Sequence, residues 1–203
     1  MTTAVATTEL EAVNVMLAAI GESPINSLTG TLPVDARLGQ STLKEINKEI
    51  QSEGWHFNTE IDVTLPIDGS KNINLATNVL RADPNQYDHP DIDAVQIGLK
   101  LYNRKKQTFE FDDELKCTVV YFREFTEIPE TARRYIMVKA ARVFVDRLVG
   151  DDGLRTFTQQ DEIKARAILM ETDLSNADHN MLTGDPTISG VFGTYLPSNA
   201  LIR

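Results

Sequence analysis

The stretch Gly54-Trp55-His56-Phe57-Asn58-Thr59-Glu60-Ile61-Asp62-Val63-Thr64-Leu65-Pro66 decides the fold. Before it, Leu43, Ile46 and Ile50 recur at helical spacing and mark the inner face of a helix that reaches about Glu53 and is closed by Gly54. Within it, Ile61, Val63 and Leu65 alternate with Asp62 and Thr64, the period of a strand, until Pro66 stops the run. A helical texture thus gives way to a β texture within a dozen residues.

Upstream, Thr8-Glu9-Leu10-Glu11 fits a capping box, in which the Thr hydroxyl takes a free helix N–H and the Glu reaches back. Leu10, Val13, Leu17 and Ile20 then form one buried stripe, Gly21 supplies a left-handed stop, and Pro24 prevents resumption. Asp35 is the expected N-cap of the second helix.

Downstream, Ile73-Asn74-Leu75, Val79-Leu80, the alternating Val95, Ile97, Leu99 and Leu101, the pair Phe109 and Phe111, and Cys117-Thr118-Val119-Val120-Tyr121-Phe122 read as strands joined by polar turns. The connections are too short for crossover helices, so the pairing is expected to be mostly antiparallel. Pro129 then opens a helix to about Val149, apolar over so much of its surface that it belongs at the centre of a bundle. A break at Gly150-Asp151-Asp152-Gly153 leads to a last helix from about Leu154 to Asp178, with Ile163, Ala167, Met170 and Leu174 on one face.

The plan is an α+β chain: a four-helix bundle with an inserted antiparallel β lobe and an extended C-terminal tail. Its expected divisions are 1–58 and 123–180 for the two halves of the bundle, 59–122 for the β-rich lobe, and 181–203 for the tail.

Composition narrows the function. The 203 residues are 41% hydrophobic and 25% charged, as in an ordinary globular protein. No apolar run approaches the ~18 residues of a membrane span, and Met1-Thr2-Thr3-Ala4-Val5-Ala6 lacks the basic start of a signal peptide. A single cysteine, Cys117, excludes an internal disulfide and a Cys-based zinc site. His56, His89 and His179 show no metal-binding spacing, and the eleven glycines form no phosphate loop. No cofactor is expected.

The formal charge of -10 opposes tight sequence-independent DNA binding, which needs several phosphate-neutralising cations. Two basic features stand against that background. Arg104, Lys105 and Lys106 sit on an expected hairpin tip and are a candidate contact for a partner. Arg133, Arg134, Lys139, Arg142 and Arg147 lie around the third helix, where ion pairs to neighbouring helices or subunits are the simpler expectation. A DNA-binding module is one alternative, and requires these cations to converge on one surface.

A glycan or peptidoglycan hydrolase is the other alternative, and requires two carboxyl groups about 5–10 Å apart across a sugar. Asp112-Asp113-Glu114 is the densest acidic cluster, and Glu60 and Asp62 share a strand face by alternation. In the tail, the spaced apolar residues Ile188, Val191, Phe192, Tyr195 and Leu196 are a candidate partner interface, anchoring in a groove or adding as a strand.

Three motifs carry a family resemblance: Ile20-Gly21-Glu22-Ser23-Pro24; Ile46-Asn47-Lys48-Glu49-Ile50-Gln51-Ser52-Glu53-Gly54-Trp55-His56-Phe57-Asn58; and Asn180-Met181-Leu182-Thr183-Gly184-Asp185. In this order and at this length the chain resembles tail tubular protein A, the head-to-tail adaptor or gatekeeper of short-tailed podovirus phages. The resemblance implies a non-enzymatic virion protein, made in the host cytoplasm and placed in the tail. It also implies a ring of twelve identical subunits between the portal protein and the nozzle protein (tail tubular protein B), with DNA passing through the channel without specific binding.

Overall fold

A computed structural model describes residues 6–148 and 152–177, with backbone alone for 152–158. Its elements are α1 (Glu9–Ala19), α2 (Val34–Ser52), a 3-10 turn (His56–Asn58), β1 (Thr59–Leu65), β2 (Val79–Pro84), β3 (Ala94–Ile97), β4 (Lys100–Asn103), β5 (Leu115–Tyr121), α3 (Glu130–Leu148) and α4 (Asp152–Asn176). The α+β class, with helices flanking antiparallel strands, is as expected.

The capping box of α1 is present: the Glu11 N–H donates to Thr8 Oγ1 at 3.2 Å, and the Thr8 N–H to Glu11 Oε2 at 2.8 Å. At the other end Gly21 adopts φ 81, the Glu22 N–H reaches Leu17 O at 2.9 Å and the Gly21 N–H reaches Ala18 O at 3.1 Å. This is the paired closure that a left-handed residue allows. The chain then passes Pro24, and the Asn14 side-chain amide holds the Ile25 backbone through both its N–H, at 2.8 Å, and its carbonyl, at 3.0 Å.

Helix α2 starts two residues earlier than expected. Pro33, extended at φ -52 and ψ 155, is the N-cap, and its carbonyl takes the Arg37 N–H at 3.1 Å. An N-cap must offer a carbonyl but needs no N–H, so proline serves there. Asp35 falls instead inside the first turn, where a carboxylate favours the helix dipole.

Helix α3 packs against each of the other three helices, in the central position expected of it. Ala132, Tyr135, Ile136, Ala140 and Phe144 meet Val13 and Met16 of α1, Leu43 and Ile46 of α2, and Ala165 and Leu169 of α4 in one hydrophobic cluster. Four of the five cations on α3 are engaged within the subunit, and Arg134 is exposed. Lys139 pairs with Glu49 at 3.0 Å, Arg147 grips both oxygens of Glu45 at 2.8 Å, and Arg142 pairs with Glu162 and with Asp146. Arg133 donates to the carbonyls of Thr7, Thr126 and Ile128.

The β residues form a second cluster around Ile73, Leu101, Phe111, Leu115, Cys117 and Val119. Strand β5 is central in the order β1-β5-β2, antiparallel to both neighbours, and β3 pairs with β4 in a separate hairpin. Between Ile61 and Tyr121 no helix of more than a turn is present.

Three expectations in this region are corrected. The alternation of β1 is broken by a bulge between Glu60 and Val63: Asp62 adopts φ 57, its carboxylate accepts from Asn85 Nδ2 at 2.8 Å, and Ile61 is turned out to solvent. Residues 95–101 are not one strand but a hairpin folded at Gly98-Leu99, with Gly98 at φ 62 supplying the turn. Ile73-Asn74-Leu75 makes isolated bridges, to Ile67 and Lys100, rather than a strand, although Ile73 and Leu75 are buried.

Candidate assembly surfaces

The junction between α2 and the sheet is built from amides. Asn47, Gln51 and Asn58 are buried, so each of their polar atoms needs a partner. Gln51 supplies two to the backbone of Arg123, accepting its N–H at 2.8 Å and donating to its carbonyl at 2.8 Å, and also donates to Asn47 Oδ1. Asn58 accepts the Trp55 N–H at 2.8 Å and donates to the carbonyls of Gln51 and Tyr121, at 2.9 and 3.0 Å. The Trp55 indole N–H closes the helix end on Ile50 O at 2.9 Å.

Gly54 lets this junction close. Its φ is 82, and a Cβ there would stand 3.0 Å from Arg81 Nη2 and 3.3 Å from Val120 Cγ2. The motif Ile46–Asn58 therefore holds the helical cluster to the β cluster, which its residue types alone did not reveal.

Helix α4 is fastened to the same place. Arg166 donates to both oxygens of Glu53, at 3.2 and 2.9 Å, and to the Tyr135 hydroxyl at 2.9 Å, with its guanidinium over the rings of Trp55 and Tyr135. These bonds, first that to Glu53, raise its pKa further above an already basic value. Asp173 accepts the His56 N–H at 2.9 Å. His56 itself is exposed, and His89 Nε2 accepts the Lys116 N–H at 3.0 Å.

With Ala165 and Leu169 turned inward, the predicted apolar stripe of α4 faces the other way. Ile163 is 62% exposed, Met170 47% and Leu174 60%, with Ala167 between them and Ile168 beside them. Four positions at a spacing of four, three and four residues make a continuous seam. A second apolar surface lies on the outer face of the β3–β4 hairpin, where Val95 and Ile97 are exposed and Tyr102, opposite Val95, stacks edge-on against Phe109.

Arg104, Lys105 and Lys106 are brought together, as expected, on an exposed turn closed by the Asn103–Thr108 bridge. Each already has a neighbour. Arg104 lies 3.6 Å from Asp93, Lys105 donates to Pro90 O, and Lys106 reaches Asp112 at 2.8 Å. The Lys106–Asp112 hydrogen bond raises the lysine pKa and lowers that of the carboxyl. Ile188, Val191, Phe192, Tyr195 and Leu196, with His179, lie outside the described residues.

The carboxylates have structural neighbours too. Asp112 sits between Lys106 and Lys71, Glu60 pairs with Arg123 at 3.0 Å, and the bulge removes the common face expected for Glu60 and Asp62. Burial pushes the Cys117 thiol up to about 12, which keeps it protonated and unreactive near neutrality. Among the described residues no three His, Cys, Asp or Glu side chains are grouped to hold a metal ion.

Comparison with known proteins agrees with the resemblance carried by the three motifs. The family model for tail tubular protein matches residues 10–179, from α1 past the end of α4. Tail tubular protein A of Klebsiella phage KP34 is 30% identical over 165 residues, covering 80% of this chain and 86% of that protein. The matched span contains the capped α1, the amide junction, both β sheets and the outward seam of α4, and on that basis the chain belongs to the tail tubular protein family, structural components of phage tails.

Proposed function

We propose that the chain is the ring subunit that joins a phage portal to the nozzle of its tail, with twelve copies enclosing the channel through which DNA leaves. The observation that carries this reading is the family match across residues 10–179. The net charge of -10 accords with a wall past which DNA slides, because like charge keeps the phosphate backbone from adhering. The role is non-enzymatic and needs no cofactor. The protein is assembled in the host cytoplasm and ends in the virion tail.

In this reading the helical segments 1–58 and 123–180 form one body and 59–122 a β lobe, with identical subunits, the portal protein and the nozzle protein as partners. The Arg104-Lys105-Lys106 turn and the tail residues Ile188, Val191, Phe192, Tyr195 and Leu196 are the contacts offered to those partners. Burial of the last three large tail side chains contributes about 1.5–3 kcal/mol each before the cost of ordering them.

The test is the mass of the purified protein alone and after mixing with the portal protein, by native mass spectrometry. A complex with one ring of this chain per portal is expected, and deletion of 181–203 should weaken it while leaving the subunit folded. Failure of the full-length protein to associate with either the portal or the nozzle protein would contradict the reading.

A further inference from the structure

We propose that the cleft between β2 and β3 is a slot for an added β-strand, and that residues 187–196 of a neighbouring copy of this chain fill it. The inference rests on the ring reading above and deepens it by naming the segment and the surface that join one copy to the next.

The first support is that two strand edges face each other across the cleft without pairing. Strand β2 ends the order β1-β5-β2, and β3 pairs with β4 alone. The Asn85 N–H donates to Lys116 O at 2.9 Å. The alternation of an antiparallel ladder therefore turns the N–H and C=O of Ala82 away from β5. In the hairpin the Leu101 and Asn103 N–H groups donate outward, to Ile73 O at 3.1 Å and Thr108 O at 2.8 Å. Their cross-strand partners Gln96 and Ala94 turn their own backbone groups off the opposite edge, into the cleft.

The second support is the space and what now spans it. A cavity of about 450 Å³, lined by residues 80–83 and by Ala94, Val95, Gln96 and Gly98, separates the edges. Another of about 300 Å³ continues it past Asp83 and Ala94 to Pro90. The Gln96 side chain reaches across: its Nε2 donates to Val79 O at 3.5 Å and to Gly98 O at 3.2 Å, while its Oε1 is buried with no donor. A bond at the limit of length and an orphaned acceptor are a poor substitute for a ladder.

The third support is the segment. Between Pro186 and Pro197 stand Thr187-Ile188-Ser189-Gly190-Val191-Phe192-Gly193-Thr194-Tyr195-Leu196, ten residues without a charge, six of them Thr, Ile, Val, Phe or Tyr. That is the composition of a strand bounded by prolines. At about 3.3 Å per residue it is long enough to run the whole edge of β2.

The fourth support is placement. Near the end of α4, Asp173 accepts the His56 N–H at 2.9 Å, just before the start of β1. The slot lies beyond β2, and β1 and β2 are opposite edges of one sheet. The segment thus departs from one side of the β lobe and the slot opens on the other. A contact between such unlike surfaces is head-to-tail, the kind that closes into rings.

The experiment co-assembles into tails two full-length chains, one carrying Asp83→Cys and the other Val191→Cys, and treats them with a short bismaleimide. Asp83 is exposed, and Cys117 is fully buried and gives no background. Dimers joining one chain of each kind are expected, and a ladder of multimers from a chain carrying both substitutions. Cross-links confined within single double-variant chains would show that the segment fills its own slot and overturn the inference. Monomer throughout, in tails that contain the chain, would overturn it too, and both results leave the ring reading standing. Absence of the wild-type chain from tails overturns the ring reading itself. Should the cysteine variants fail to enter tails, the backbone decides, because a strand inserted between two edges uses its N–H groups on both sides. Val191→Pro, which removes one, should lower incorporation roughly tenfold, with Val191→Thr within about twofold of wild type. Equal incorporation of the two variants, or equal loss, contradicts strand addition.

Discussion

The junction between α2 and the sheet and the outer seam of α4 reverse the usual distribution of polar and apolar groups. At the junction three amide side chains are buried: Gln51 and Asn58 are matched to backbone groups of neighbouring segments, and Asn47 accepts from the Gln51 side chain. On α4 large aliphatic side chains stand in solvent at the spacing of a packed face. The difference teaches what each region has to do. An amide pair fixes one geometry, because any displacement leaves buried donors and acceptors unpaired. An apolar seam leaves its geometry to whatever covers it.

Breaking the junction should have the largest effect. Asn58→Ala removes the partners of the Trp55 N–H and of the Gln51 and Tyr121 carbonyls together. A loss of about 3 kcal/mol is expected in urea denaturation, at the upper end for buried groups left unpaired. A loss under about 1 kcal/mol would mean that the junction relaxes or admits water, and the contrast with α4 would fail. Gly54→Ala should cost about 1–3 kcal/mol, since it combines a positive φ with close approach to Val120 and Arg81. Leu174→Glu, by contrast, should change monomer stability by no more than about 0.5 kcal/mol, as surface substitutions do. A larger loss would place Leu174 in the subunit's own core.

The smallest effect is confined to alkaline solution. The folded protein holds the Cys117 proton up to about 12, whereas the unfolded chain releases it near 9.0. The raised folded pKa means that this contribution is fully present below pH 9 and is lost progressively as the pH rises toward 12. Cys117→Ser, whose hydroxyl does not titrate there, should abolish that part of the decline, measured as melting temperature against pH. Unchanged alkaline sensitivity would assign the decline to other groups.

These contrasts also mark what was legible in the chain. The Thr8–Glu11 box, the Gly21 stop and the switch of period near Gly54 are local, and each produced the element it implied. The hairpin at Gly98-Leu99 was hidden because a two-residue turn leaves the apolar spacing around it looking like one continuous strand. The β1 bulge was hidden because the contact made there, that of Asp62 with Asn85, joins β1 to the residue that follows β2. On α4 the seam could be read but not its direction, since period fixes which residues share a face and not what that face meets. Ala165 and Leu169 form a smaller inner face beside it, and Arg166, held by Glu53 and Tyr135, turns that face inward. The role of Asn47, Gln51 and Asn58 depends on segments as distant as Arg123 and could not be read from local spacing.

Electron cryomicroscopy of tails assembled with this chain is the most direct test of the central claim, that the subunit buries amides to hold its own shape and exposes an apolar seam for contact with a neighbouring chain in the tail. A ring of twelve copies between portal and nozzle is predicted, with the junction unchanged and Ile163, Met170 and Leu174 of each copy covered by a neighbouring chain. A tail in which this chain occupies another position, or in which those three side chains remain in solvent, would contradict it.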